Sequence, residues 1–581
     1  MRNEEIRALI RELGELTVLD EQSPQSFRAR AYDKAVQALE NVSTDLAAMS
    51  LAELQQIPGI GKATAEKIRS YVDTGKIAKL EALREKFPPD VVKLSRIPGL
   101  GPKTLAKLRA TLDVQSVADL VAAIDAEKLR DIPGLGAKTE EKLKSGIERL
   151  GFKQGEQRTP IAPAMGEAMR WVELLREHPD VVEVVPCGSL RRQRETVGDI
   201  DIVVATEQPA AVTQFVASRP GLQRIIASGS TKTSVIGATG LQVDVRFVRP
   251  EQMGAALMYF TGSKAHNIKL RQIAMDKGWI LNEYALAHAD TEEVIASRTE
   301  GEIYAALGLP LIPPPMREDT GEVEAARAGT LPRALEAGEL LGDLHVHTTY
   351  SGDGRSTLAD VVAAAHARGY RYLAITDHAE NLAMNGIGRE ELARQADELA
   401  ALQEGVPTLR LMRGSELNIA ADGSLDYDED FRLSLDWCVA AVHTAYDLPQ
   451  AQQTERLIRA IRDPAVRVIG HLTGRMIGRR PGIDIDVDAV LDALVEYDVL
   501  LEINSALPRL DAAAPVLRRA REKKVLFAVS TDAHHVKELD RTQWGARQAQ
   551  RGWVDPDREV NTWSPERFAD WMATQRARGK R

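Results

Sequence analysis

Residues 188 to 204, GSLRRQRETVGDIDIVV, set a small-residue turn directly ahead of two carboxylates, Asp199 and Asp201. Gly188 and Ser189 let the backbone come close to a triphosphate, and the guanidinium of Arg192 can fork two of its oxygens. The apolar residues Ile200, Ile202, Val203 and Val204 predict a strand, on which positions i and i+2 share a face, so the two aspartates point the same way. Carboxylates on one side of a buried strand repel each other unless divalent cations sit between them, which is the arrangement two-metal phosphoryl transfer needs. A third, Asp244, stands in the strand-like run LQVDVRFV. An Asp-x-Asp alone could be a solvated strand end. Joined to the glycine-serine turn, the arginines and a third aspartate, it predicts nucleotidyl transfer.

A second set of reactive side chains lies further on. Of the eleven histidines, seven fall in the motifs GDLHVHTTYSGDG, AITDHAE, AAVHT, VIGHLTGR and VSTDAHH, with RGSELN and LEINS between them. Nearly all of these follow an apolar strand-like segment, and such segments alternate with helical ones as in an α/β barrel. His345 and His347 alternate onto one face, Asp532 and His534 do the same, and Glu416 is available as a bridging carboxylate. Neutral imidazoles with carboxylates and no thiol suit Mn²⁺, Zn²⁺ or Fe²⁺. Ions clustered in this way can hold a phosphate and turn bound water into hydroxide near neutral pH. His366, in AAAHARG, reads as a core residue, and His535 as an exposed neighbour.

The N-terminal part carries a threefold repeat: IPGIGKATAEKI at 57 to 68, IPGLGPKTLAKL at 97 to 108, and IPGLGAKTEEKL at 132 to 143. Each is a Pro-Gly-x-Gly turn opening an amphipathic helix. The glycine pairs Gly59 and Gly61, Gly99 and Gly101, and Gly134 and Gly136 free the backbone to turn, leaving helix N-terminal amides pointing outward as an anion site. This is the helix-hairpin-helix pattern, which grips DNA phosphates and reads no sequence.

These sites need several domains to position them. A chain of 581 residues is too long for one core and predicts about four domains. The 44% hydrophobic content is ample for packing, no apolar run approaches a membrane span, and MRNEEIRALI is charged rather than signal-like, so a cytoplasmic protein without membrane contact is expected. Two distant cysteines, Cys187 and Cys438, exclude a disulfide framework. The net charge of −10 is uneven: residues 1 to 310 hold 41 Lys and Arg against 42 Asp and Glu, so the acid is concentrated in the C-terminal half. DNA binding must then rest on backbone amides, helix N-termini and bound cations rather than on a basic coat.

The Asp199, Asp201 and Asp244 assembly resembles the palm of the family X DNA polymerases, the group that includes DNA polymerase beta. Tyr259, Phe260, Thr261, Gly262 and Ser263 reproduce that family's YFTGS motif, and Asn267 and Arg271 follow on one helix at i and i+4. The resemblance implies Asp199, Asp201 and Asp244 as ligands of two Mg²⁺ or Mn²⁺ ions. It implies Gly188, Ser189, Arg192 and Gly198 at the triphosphate; Tyr259, Phe260, Gly262 and Asn267 around the nucleoside; and Arg271 at the DNA minor groove. Residues 1 to 80 resemble the family's lyase domain, with Lys67 at its nucleophile position. Ala63 stands where another lysine would be, so Lys67 is read first as a solvated helix residue, and 5′-phosphate binding outranks lyase chemistry.

Beyond PLIPPPMRED the chain resembles the polymerase and histidinol phosphatase (PHP) domain, a distorted seven-stranded barrel binding up to three metals, here Mn²⁺ or Zn²⁺. The implied ligands are His345, His347, Asp353, His378, Glu416, His443, His471, Asp532 and His534, with Asp377 and Asn504 behind them. Asp353 lies in a turn one residue longer than the usual YSDG. The expected architecture is multidomain: an α-helical helix-hairpin-helix N-terminal region, an α/β nucleotidyltransferase palm with thumb, and a C-terminal distorted (β/α)7 barrel. Its boundaries are a lyase-like region at 1–80, helix-hairpin-helix fingers at 81–156, palm at 157–248, thumb at 249–316, linker at 317–340, and barrel at 341–581. The implied function is DNA-directed DNA synthesis for gap filling in repair, on gapped or primed DNA with dNTPs, by a monomer. The barrel would act as a 3′–5′ exonuclease, with abasic-site cleavage as a further family activity. The alternative is a DNA-binding protein with a phosphatase barrel and a different nucleotidyltransferase palm.

Overall fold

Each Ile-Pro-Gly-x-Gly turn sends the chain sharply back because its first glycine takes a positive φ, +96° at Gly59 and +86° at both Gly99 and Gly134. The apolar residue between the glycines anchors the turn, with Ile60 and Leu100 buried. The computed structural model describes residues 2–23, 26–40, 46–95, 97, 99–149, 158–219, 221–237, 239–382 and 385–578. They form two compact units, one of residues 1–156 with 351–355 and 478–481, the other of the remaining chain. The expected boundary between fingers and palm, at residues 156 and 157, lies outside the described residues. Among the described residues no helix is long and apolar enough to cross a membrane.

Residues 1–149 are helical where described. The first two helices, Arg2–Asp20 and Phe27–Glu40, have 19 and 14 residues. Ile6, Ile10 and Leu13 recur at helical spacing and make one continuous buried stripe, which is reason enough for the length. That stripe joins a single core with Ile68, Leu80, Leu105, Leu108, Leu120 and Leu143, drawn from the helices on either side of the glycine turns.

In the second unit, five strands run in the order Glu183–Pro186, Ile200–Ala205, Gln242–Val248, Lys232–Ile236 and Arg224–Ser228. Only the central pair is parallel, and its register sets Asp201 directly beside Asp244. Ile200, Ile202, Val204, Val243 and Val245 bury one face against Trp171, Val172 and Leu175 of the helix Ile161–Arg176. Helices Met253–Thr261, Lys264–Asp276 and Glu300–Leu307 follow with a small three-stranded sheet. Residues 317–340, expected as a linker, are anchored at intervals: Arg317 is fully buried, Val323 and Ala326 of the helix Glu322–Arg327 enter the core of the preceding helices, and Leu335 enters the barrel's.

The barrel has seven parallel strands in chain order, from Gly342–Val346 to Phe527–Ser530. It closes just beyond the last strand: the Asp532 amide donates to the His345 carbonyl at 3.0 Å, and the His347 amide to the Ala533 carbonyl at 2.8 Å. At the opposite end Glu559 is wholly buried, its Oε1 accepting from the amides of Val529 and Asn561 at 3.0 and 3.1 Å.

Burial pushes the Glu559 carboxyl up to about 7 from its ordinary 4.5. Between those values the unfolded chain gives up this proton while the folded barrel keeps it, so stability falls as pH rises through that window. Glu559→Gln can accept the same two hydrogen bonds without ionising. We expect it to raise the Tm of the barrel's transition by about 3 °C or more at pH 8 and by little at pH 5, followed by circular dichroism. An equal effect at both pH values would show that the carboxyl does not ionise there.

Candidate metal centres

Asp199 immediately precedes the strand Ile200–Ala205, Asp201 lies within it, and Asp244 stands on the neighbouring parallel strand. One oxygen from each carboxylate falls within 4.8 Å of the other two. Burial, then the charges of Asp199 and Asp244, push Asp201 up to about 7. Burial and the Asp244 charge raise Asp199 as well. Asp244 is also desolvated, but hydrogen bonds from Lys232, Ser234 and Gln242 outweigh this and hold it below its usual range, with Lys232 Nζ at 2.5 Å. Three clustered carboxylates, two of them pushed up by their neighbours' charges and the third drawn to an ammonium, make a donor set suited to divalent cations.

The phosphate-binding turn lies against this cluster. Gly188 has φ +60°, and a Cβ there would collide with the Asp201 carboxylate, so no other residue fits without displacing a ligand. A four-residue helix, Gly188–Arg191, follows and carries Ser189. Arg192 is half-buried and already engaged: its Nε donates to Glu318 at 3.0 Å and its guanidinium to the Thr261 carbonyl at 2.5 Å. Gly198 is exposed beside Asp199. Tyr259 and Phe260 end the helix Met253–Thr261 with their rings edge to face at 5.1 Å, and Gly262 caps it with φ +69°. Asn267 donates to the Tyr259 carbonyl at 2.7 Å and so braces that segment, while Arg271 on the same helix is exposed. Two cations here escaped the sequence reading. Lys232 lies on a strand that pairs antiparallel with Asp244's, and Arg158 holds Thr196 by its hydroxyl and carbonyl at 3.0 and 2.7 Å while its charge acts on Asp199.

At the barrel mouth eight expected ligands come together: His345, His347, His378, Glu416, His443, His471, Asp532 and His534 form four overlapping groups of three. Asp353 is in none of them; the short segment 351–355 that carries it is part of the first unit. Glu416 is central. Its Oε1 lies 3.0 Å from His471, 3.1 Å from His443 and 3.5 Å from His345, and its Oε2 lies 2.7 Å from His378 and 3.6 Å from His347.

Both ring nitrogens of His347 and Nε2 of His345 are buried yet make no hydrogen bond. His347 Nε2 is 3.4 Å from Asp532 Oδ1. Two ligands of one tetrahedral ion, each about 2.1 Å from it, would stand about 3.4 Å apart, so these nitrogens and oxygens fit a shared cation. Burial, with the His534 and His378 charges, pushes His347 down to about 3. The surrounding imidazoles hold Glu416 well below the usual carboxylate range despite its burial. The acids are therefore ionised and ready to bind metal, while the charges of Glu502, Glu416 and Asp532 hold His345 well above the usual imidazole range despite its burial, so a cation there would take the place of that proton.

A layer behind the ligands fixes their orientation. Glu502 meets His345 Nδ1 at 2.7 Å and also accepts from the His471 amide, and Asn504 donates to Glu502 and to Asp532, both at 3.2 Å. Asn418 meets His443 Nδ1 at 2.8 Å, and Asp377 accepts from Thr348 and Gln395. Glu502 was not singled out from the sequence, although its place two residues before Asn504 in LEINS put both on one strand face. His366 is exposed on its helix rather than in the core, and half-buried His535 caps the next turn through the Lys537 amide at 3.2 Å.

The glycine turns are open. A Cβ at Gly61, Gly101 or Gly136 would meet no atom within 4 Å, and Gly61 and Gly101 begin their helices with no side-chain cap on the amides. Lys67 is half-buried, with its Nζ donating to the Ala63 carbonyl of its own helix at 3.0 Å and lying 5.7 Å from the Tyr32 ring centre.

Residues 256–318 match the DNA polymerase beta thumb, and residues 343–506 the PHP domain. Residues 1–77 match a helix-hairpin-helix domain, and residues 75–149 a SAM-like helix-hairpin-helix tandem. The DNA polymerase/3'-5' exonuclease PolX of Bacillus subtilis (strain 168) is 37% identical over 538 residues, spanning 92% of this chain and 93% of that protein. A probable phosphatase of Vibrio vulnificus (strain YJ016) is 28% identical over 40% of this chain and 93% of its own length, and one of Thermoanaerobacter sp. (strain X514) is 28% identical over 39% and 91%.

Glu502→Gln removes the charge that orients His345 while preserving shape. Loss of such a partner typically weakens a metal site about 10- to 100-fold. Calorimetric titration of Mn²⁺ or Zn²⁺ into chelator-stripped protein should show that loss in the barrel, and unchanged affinity would place Glu502 outside the ligand-orienting layer.

Proposed function

This chain belongs to the PolX family of DNA polymerase/3′–5′ exonucleases, and on that footing we propose that its two metal centres divide synthesis and degradation between palm and barrel. The observation that carries this reading is the presence of two separate ligand sets on one chain, one of three carboxylates and one of imidazoles around Glu416.

In the palm, Asp199, Asp201 and Asp244 would hold two Mg²⁺ or Mn²⁺ ions. Bound there, such ions would neutralise the triphosphate and lower the pKa of the primer 3′ hydroxyl that attacks the α-phosphorus. Gly188 lets the turn approach the phosphates without displacing Asp201, and Ser189, Arg192 and Gly198 bind their oxygens. Tyr259, Phe260 and Gly262 form the wall for sugar and base, braced from behind by Asn267. Arg271, exposed on the same helix, is free to reach the DNA.

In the barrel, up to three Mn²⁺ or Zn²⁺ ions would be held by His345, His347, His378, Glu416, His443, His471, Asp532 and His534, supplying hydroxide for phosphodiester cleavage. Asp353 keeps the weakest claim, and Lys67, whose Nζ bonds back to the Ala63 carbonyl of its own helix, a weaker claim to lyase chemistry than to phosphate contact. The helix-hairpin-helix turns hold gapped or primed DNA through its backbone, which suits gap filling in base excision or end repair, with cleavage at abasic sites as an extension. The resemblance to phosphatases favours a barrel that also accepts small phosphomonoesters.

Asp199→Ala with Asp201→Ala should abolish dNTP incorporation on a one-nucleotide gap and leave the exonuclease intact, and His345→Ala with His347→Ala should do the reverse. Loss of exonuclease in the folded palm variant would sink the division of labour. For the turns, Gly101 has an ordinary φ of −66° and open space around it, so Gly101→Val leaves the fold unstrained. Fluorescence anisotropy should show weaker binding by the same factor for gapped duplexes of unrelated sequence; a loss confined to some sequences would count against backbone recognition.

A further inference from the structure

The palm's phosphate-binding turn is held by the barrel. Arg551, the last residue of the barrel helix Thr542–Arg551, donates through Nη1 to the Arg192 carbonyl at 2.7 Å. Gln193, wholly buried and at φ +55°, donates to the Trp544 carbonyl of that helix at 2.8 Å. Arg475, which also donates to the carbonyls of Arg509 and Leu510, reaches Glu195 at 2.8 Å, and Leu510 itself is buried in the palm core. Three of the four residues from 192 to 195 are thus gripped by another domain.

One carboxylate connects these contacts to the chemistry. Glu318 lies 3.0 Å from Arg192, 3.2 Å from Arg194 and 3.4 Å from Arg551, with the side chains of Arg192, Glu318 and Arg551 all less than one-fifth exposed. Poorly solvated charges interact strongly, so the hold of Glu318 on Arg192 competes with any anion that Arg192 could bind.

We propose that Arg551 is a positioning residue for nucleotide binding in the palm. By sharing the Glu318 carboxylate and fixing the Arg192 carbonyl, it weakens the internal hold on the Arg192 guanidinium and leaves that group available to an incoming triphosphate. The inference rests on the assignment of Arg192 to the triphosphate made above, and it adds that the nuclease domain tunes the polymerase domain's affinity for its substrate.

The test is single-nucleotide gap filling by the full chain, with KM for the dNTP and kcat measured separately. Arg551→Ala should raise KM at least fivefold with kcat within twofold, and Arg551→Lys, which keeps a cation beside Glu318, should recover most of that loss. Glu318→Gln should lower KM at least twofold by releasing Arg192, and in that background Arg551→Ala should no longer raise it. A role confined to holding the fold would make both single changes harmful, so a raised KM in Glu318→Gln, or an unchanged KM in folded Arg551→Ala, overturns the proposal. If Arg551→Ala does not fold, the sign of the Glu318→Gln effect decides alone. Arg192→Ala is the reference: an unchanged KM there defeats the underlying assignment, whereas a KM raised tenfold without opposed effects at 551 and 318 defeats only this inference.

Discussion

A carboxylate surrounded by five imidazoles inside a closed barrel is a costly arrangement, and the geometry of the C-terminal domain is organised around it. Glu416 is almost fully buried, and water can solvate neither it nor the rings of His345 and His347. Burying such groups is tolerable only if each is paired or a metal ion completes the set. Seven parallel strands bring that about by delivering residues far apart in sequence to one mouth, and Glu502, Asn504, Asn418 and Asp377 then lock the rings from behind. The palm meets the same constraint on a smaller scale. Its parallel strand pair fixes Asp201 beside Asp244, and Lys232 offsets part of the repulsion.

What was legible from the sequence follows a physical pattern. Asp199, Asp201, His345 and His347 could be read because strand periodicity is local: a spacing of two puts side chains on one face, whatever the rest of the fold does. The glycine turns were legible because the positive φ at Gly59, Gly99 and Gly134 demands glycine at fixed positions in the repeat. Lys232, Arg158 and Glu502 were not, because their importance comes from pairing between strands or from packing across the sheet. His366 was misread because AAAHARG is apolar in composition, while the helix's buried side is formed by Leu358, Val361, Val362 and Ala365 and the histidine falls on its exposed flank. The segment 317–340 looked loose because its composition is rich in Glu, Ala and Gly, but a few well-spaced apolar residues and one buried arginine suffice to pack it.

The same distinction explains Arg192. Its residue type and its place after the glycine-serine turn suggest an anion ligand, and nothing local in the sequence announces that Glu318 and the Thr261 carbonyl already hold it. A guanidinium restrained in this way is partly pre-ordered, so less rotamer freedom is lost when it changes partner.

The hydrogen bonds that close the barrel join the backbone of His345 and His347 to that of Asp532 and Ala533, so the seam of the cylinder and the centre of its ligand cluster are the same place. During synthesis the chain emerges from its N-terminus and domains fold as they become available. All three palm aspartates precede the barrel, whereas the degradative centre must wait for the last strand to dock. A nascent or C-terminally clipped chain would therefore lack the degradative centre and also the helix Thr542–Arg551 that grips the palm's phosphate-binding turn, so both centres wait on the same last stretch of chain.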